Sequence, residues 1–335
     1  MPTFAVGVDL GGTSTKVALV DQDAGIVRKA SVPTEAESGP HAVLDGILDG
    51  IERVLNALPE GETLVGVGVG APGSVSMDRT TLVKPANLPG WDRLDIRAHL
   101  QKGLTSRDLG RHLADGATIL VENDANVAGL GSAFYGAGRP FDSFVMVTLG
   151  TGVGGAIIHE NRLFRGTTGG AGELGHISID YEGPYARSGV AGAAEAYLGH
   201  RYLSRHARYQ LLTRDTRLHE LTGPDLCDVD PVKMYRAALA GDLGAQEVFA
   251  WAGHKLGVML GSVVNLLDIR KVVVGGGLSQ AGDYLLDPAR QALQRFVMPA
   301  LLPDLEIVQE TQGNAVAQLG AARLIFEARE DETSA

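Results

Sequence analysis

From Phe4 the chain reads FAVGVDL, a tight GGT turn, TKVALVD and, after a turn at Gln22 to Gly25, GIVRKASV; apolar runs of strand length broken by turn residues predict a three-stranded meander. Helical spacing follows from His41 to Leu58, then an apolar strand LVGVGVG ending at Ala71-Pro72-Gly73, and a strand ATILVEN over 117–123 that leads into a helix of small residues. The pattern then restarts: SFVMVTLGTGVGGAII at 143–158 is again strand, glycine turn and strand. Laying VDLGGTSTKVAL (8–19) over VTLGTGVGGAII (147–158) without a gap sets Gly11 on Gly150 and Asp9 on Thr148, with matching apolar positions on both sides. That is the signature of an internal duplication. A Gly-rich segment from Gly166 to Gly175 precedes a helical stretch from Ala193 to about Tyr209, and Asp230 with Pro231 marks the start of a further helix. A mostly buried helix over 244–267 feeds the strand KVVVGGGLS. A helix from Tyr284 to Phe296, a short strand LEIVQE, a helix from about Asn314 to Glu327 and a frayed acidic tail complete the pattern.

Strands alternating with helices define an α/β chain. No linker rich in Pro or Ser separates the halves, so the repeat itself places the boundary near residue 122. The expected domains are 1–122, completed by a C-terminal helix at about 314–330, and 123–313.

Composition narrows the function. Lys and Arg total 29 against 40 Asp and Glu, a net charge of −11, and no basic run of five interrupts the deficit. A broad nucleic-acid footprint is therefore not expected. Cys227 is the only cysteine, which excludes an intrachain disulfide and a thiolate cluster and fits a reducing, cytoplasmic compartment. The uncharged stretch 143–159 holds four glycines and is too short and polar for a bilayer, and MPTFAVGVDL has no secretory pattern, so neither membrane span nor signal is expected. Glycine stands out at 45 of 335 residues, clustered where apolar runs end.

Those glycines carry the first candidate chemistry. In DLGGTSTK a strand ends at Asp9 and Gly11-Gly12-Thr13 turns back, leaving backbone N–H groups free to cradle phosphate while the carboxylate faces a hydrated cation. A plain hairpin would look the same, but the second turn, LGTGVGG, favours two phosphate loops acting on one triphosphate. There is no Walker A sequence GxxxxGK[ST]. Two GxGxxG spacings, at 68–73 and 150–155, lack the helix that a dinucleotide fold opens there, since Pro72 and the strand-like GGAIIH follow. HExxH and GxSxG are absent too, removing metalloprotease and serine-hydrolase readings. At 122–124, Glu122, Asn123 and Asp124 end an apolar strand ahead of a helix, where polar groups either cap the helix or face a ligand crevice. A carboxylate there is placed to take a proton from an attacking hydroxyl.

DLGGTSTK, ENDAN, LGTGVGGAI, GGAGELGHI and VVVGGGLS, in this order and spacing, resemble the ROK family (repressor, open reading frame, kinase) of sugar kinases in the actin, Hsp70 and hexokinase superfamily, over about residues 4–327. The resemblance implies two actin-like (ribonuclease H-like) α/β domains with a ligand cleft between them, ATP and Mg²⁺ as cofactors, and a homodimer. It implies Asp9 near Mg²⁺ through water, and Gly11, Gly12, Thr13 and Lys16 with Gly150, Thr151 and Gly152 on the phosphates. Gly275, Gly276 and Gly277 would lie beside the adenosine. Asp124 would be the base for the sugar 6-hydroxyl, with Asn123, Glu173, His176, Glu195 and, from KPANLPGW, Asn87 gripping the hexose. The expected function is glucose phosphorylation. The alternatives are mannose, fructose, N-acetylglucosamine or N-acetylmannosamine as acceptor, or a catalytically silent sugar sensor. Family repressors carry an N-terminal helix-turn-helix, and the first phosphate motif here begins too early for one, so the enzyme branch is expected.

One departure matters. The family usually follows GH with CxCGxxGCxE, whose three thiolates bind a structural zinc with the GH histidine. This chain reads ARSGVAGAAE, with Ala186, Ser188 and Ala193 at the cysteine positions. No structural zinc is expected.

Overall fold

The computed structural model describes residues 2–85 and 88–334. Along the chain run β1 (Phe4–Leu10), β2 (Ser14–Asp21), β3 (Gly25–Pro33), α1 (Pro40–Leu55), β4 (Leu64–Ala71), β5 (Ser74–Val75), β6 (Thr81–Val83), β7 (Arg93–Asp95), α2 (Ile96–Ser106), β8 (Leu113–Asn123) and α3 (Asp124–Tyr135). Then follow β9 (Phe144–Leu149), β10 (Val153–His159), β11 (Arg162–Leu163), α4 (Glu195–Leu198), α5 (His200–Leu211), α6 (Leu218–Thr222), α7 (Pro231–Leu239), α8 (Leu243–Leu267), β12 (Lys271–Gly275), α9 (Asp283–Phe296), β13 (Glu306–Gln309) and α10 (Val316–Ser334). Two compact units result. One comprises 1–142, 156–172 and 314–335, and the other 143–155 and 173–313.

The duplication is visible in the topology. One sheet has the order β3-β2-β1-β4-β8 and the other β11-β10-β9-β12-β13, so the two sheets repeat one pattern of a meander followed by two crossover strands. In the first, β1, β2 and β3 are antiparallel neighbours, while β4 lies parallel to both β1 and β8. In the second, β12 lies parallel to β9 and β13. A short third sheet, β5-β6-β7, adds a hairpin extension to the first unit.

The interior strand β4 is buried at all eight positions, as a parallel strand covered on both faces must be. On one face of the sheet α1 packs against β2 and β3 and buries Val43, Leu44, Ile47, Leu48, Ile51, Val54 and Leu55 along one helical stripe. The other face is covered by α10, whose approach needs glycine: a Cβ at Gly7 or Gly68 would overlap the α10 backbone at Gln318 and Ala321. In the other unit, Asp242 Oδ1 accepts from Ala245 N at 2.8 Å to start α8, and Asp268 at φ 52° ends it.

Three expectations change. The stretch from Ala193 to Tyr209 is two helices, because Gly199 adopts an extended ψ of 141°. The break lets His200 N donate to Gly150 O at 3.0 Å, bringing the start of α5 to the second glycine turn. The C-terminal tail is not frayed: α10 continues to Ser334, tied by Arg323 to Glu330 at 2.6 Å and by Arg162 to Asp331 at 3.1 Å. The pattern also passed over α2, which Asp95 caps by accepting from Ala98 N at 2.8 Å.

Candidate active site

In the first unit, the candidate groups gather at the carboxyl ends of parallel strands. Register pairs Asp9 with Gly70 and Gly70 with Glu122, so Asp9 and the Glu122-Asn123-Asp124 turn stand two strands apart, about 10 Å across the sheet. This is the edge where α/β sheets bind ligands. Asp9 is largely buried, and that burial pushes its carboxyl above the ordinary range, with Lys16 pulling it back. Lys16 Nζ lies 3.4 Å from Asp9 Oδ2, across the β1–β2 hairpin. Thr34 braces the intervening turn: its hydroxyl donates to Gly11 O at 2.6 Å, and its N–H donates to Thr13 O at 3.0 Å.

Asn123 caps α3, its Oδ1 accepting from Ala125 N at 2.9 Å and Asn126 N at 3.2 Å, while Nδ2 donates to Gly73 O at 3.3 Å. Asp124 Oδ1 also accepts from Ala125 N at 2.9 Å. Asn123 does the capping, and Asp124 sits in the first turn of α3, where helix N–H groups favour a carboxylate. Asn87 lies outside the described residues.

In the second unit, Gly150 N donates to Gly152 O at 3.0 Å, closing the turn around Thr151. Glu195 Oε2 accepts from Val153 N at 3.1 Å, so this residue, expected at the sugar, is placed against the end of the second glycine turn. Thr148 pairs with Gly275, and Gly276, at φ 85°, lies so close to Leu149 that a Cβ would overlap its backbone. The expected adenosine glycines and the second phosphate turn thus share one sheet edge.

Glu173 and His176 come together, Oε2 to Nε2 at 3.7 Å. His176 Nδ1 shares a hydrogen bond with Ser188 Oγ at 3.2 Å. Ala186 and Ala193 are buried at the other two cysteine positions, offering methyl groups where zinc needs donors. The donor set does not fit zinc. The loop is instead closed by backbone hydrogen bonds, Ala186 N donating to Val190 O at 3.0 Å, Ile179 N to Gly192 O at 2.9 Å and Ala194 N to Ile177 O at 2.9 Å. Tyr197 adds a side-chain tie, its hydroxyl donating to Asp180 Oδ2 at 3.0 Å; burial and that acceptor push its pKa to about 12.

Sequence spacing missed Thr34, Arg79 and Arg165. The two arginines pair with Glu122 from distant segments, and no local pattern announces either.

The ROK family model matches residues 5–328. The chain belongs to the ROK family. It is 31% identical over 330 residues to a glucokinase of Halalkalibacterium halodurans, covering 96% of this chain and 94% of that one. The crystal structure of a ROK family glucokinase from Streptomyces griseus, in complex with glucose and AMPPNP, matches with a TM-score of 0.82 and 30% identity, covering 96% of this chain and 98% of that one. The xylose repressor of Bacillus subtilis is 24% identical over 325 residues, which are 97% of this chain and 77% of the repressor.

Proposed function

We propose that this protein is an ATP-dependent hexose kinase that phosphorylates glucose at its 6-hydroxyl. The observation that carries the reading is likeness along nearly the whole of both chains to a glucokinase that holds glucose and AMPPNP, at 30% identity. In this reading Asp124 accepts the proton of the 6-hydroxyl as it attacks the γ-phosphorus. Asn123, Glu173, His176, Glu195 and Asn87 orient the hexose. N–H groups of Gly11, Gly12 and Thr13 and of Gly150, Thr151 and Gly152, with the Lys16 ammonium, carry the phosphate charge, and Gly275 to Gly277 leave room for the adenosine.

A largely buried carboxylate with a lysine beside it fits a cation, so Asp9 is the residue that would hold Mg²⁺; bound there, Mg²⁺ would neutralise charge on the transferred phosphoryl group. A homodimer in the cytoplasm belongs to the same proposal. Among the described residues no helix is long and apolar enough to cross a membrane.

The test is an ADP-release assay run over a panel of hexoses with ATP or polyphosphate as donor. Glucose with ATP should give the highest kcat/KM. Tight sugar binding without turnover would favour the second reading, a silent sugar sensor, which the likeness to the xylose repressor supports.

A further inference from the structure

The Glu122 carboxylate is completely shielded from solvent, one residue before Asn123 and two before Asp124. A carboxylate at that depth persists only with counter-charge and full hydrogen bonding. Two guanidiniums supply the charge. Arg79 Nε donates to Oε2 at 3.2 Å, and Arg165 Nε lies 2.6 Å from the same oxygen, an ion pair whose N–H is not aimed along the contact. The other oxygen, Oε1, accepts from Asn123 N at 2.9 Å and from Asn126 Nδ2 at 3.0 Å. Glu122 therefore pins the residue before Asp124 and the residue two after it.

Both arginines are anchored in turn. Arg165 donates through Nη1 to Met77 O at 3.0 Å and through Nη2 to Ser76 O at 3.1 Å. Arg79 N donates to Ser76 O at 2.9 Å, and Arg79 O accepts from Val121 N at 2.9 Å. The β5–β6 turn, the segment after β11 and the end of β8 are thereby joined within one unit. Arg79 also stands at φ 57°, in the left-handed region where glycine is the relaxed choice. A long cationic side chain is kept where the backbone alone favours none.

We propose that Arg79 and Arg165, acting through Glu122, are positioning residues that hold the turn carrying Asp124. The proposal rests on Asp124 as the general base. A base displaced by about 1 Å loses up to about 100-fold in rate, whereas sugar affinity depends on contacts spread over several residues.

The experiment uses Arg79→Gly, which relieves the left-handed backbone and removes the guanidinium together with its aliphatic stem. With glucose and ATP, measured well below Tm, kcat should fall about 10-fold while the glucose KM stays within about 2-fold. Amide exchange at Ala125 and Asn126 should quicken, and Arg79→Lys should recover part of kcat. A kcat within about 2-fold of wild type, a loss confined to KM, or unchanged exchange at those amides would each overturn the proposal. Wild-type protein that phosphorylates no hexose would overturn the kinase reading instead, and the exchange rates alone would then decide whether the clamp holds the turn.

Discussion

The two sheets share one strand order but are equipped differently at their carboxyl edges. In the first, the strand ends carry Asp9, Glu122, Asn123 and Asp124, and a threonine hydroxyl braces the glycine turn. In the second, the position matching Asp9 in the repeat is Thr148, the neighbouring strand ends in Gly275-Gly276, and the turn is braced by Glu195 and the first residue of α5. On the proposed function, a duplicated scaffold keeps its backbone turn twice, because each turn presents N–H groups, but needs a proton acceptor and a cation-binding carboxylate only once. Side-chain chemistry therefore diverges where backbone geometry is retained.

The largest effect should come from the side chain with no counterpart in the second sheet. Asp124→Asn, nearly isosteric, should lower kcat by ~10²–10⁴ with glucose binding by calorimetry within a few-fold of wild type. A variant keeping more than about a third of wild-type kcat breaks the assignment. Next is the pair matched by the repeat. Asp9→Ala should weaken dependence on Mg·ATP on the order of 10²-fold in kcat/KM, while Thr148→Ala changes it by less than about 3-fold. Equal losses at both positions would mean that the two edges do the same work.

A smaller effect separates the units through pH. Burial pushes Glu327 on α10 up to about 7, against the pull of Arg323 and Arg79. The folded protein holds a proton that the unfolded chain releases near the ordinary carboxyl value of 4.5, so stability from this group is full at low pH and is lost as pH rises towards about 7. Glu327→Gln should therefore gain roughly 2 kcal/mol more, relative to wild type, at pH 8 than at pH 5 by denaturant unfolding. The smallest effect belongs to the loop from Asp180 to Glu195. Chelation, dialysis and return of Mg²⁺ alone should leave Tm and activity unchanged, and elemental analysis should find well under one zinc per chain. Activity that only zinc restores would show that His176 binds the metal together with ligands such as Asp180 or Glu182.

Backbone-driven features were legible in the chain itself. The first meander, the β9–β10 hairpin, α8 and the glycine turns follow from the apolar period and from the glycines where apolar runs end. The break at Gly199 was not, because a glycine inside a helical pattern reads as tolerated until the contact of His200 N with Gly150 O shows what the break serves. The acidic tail misled for a related reason: its charges look solvated until Arg162 and Arg323 are seen beside it. The candidate site divides the same way. Asp124 could be picked out beside its strand end, whereas Arg79 reaches Glu122 across a separation of 43 residues that no local spacing encodes.

The central claim is that the carboxylate-bearing edge serves phosphoryl transfer to a hexose hydroxyl. The most direct measurement is phosphorus NMR of wild-type protein with glucose, ATP and Mg²⁺. The account predicts an ester at the 6-oxygen of glucose appearing in step with ADP. ATP turned over to inorganic phosphate with no sugar ester, or glucose bound with no turnover, would contradict it.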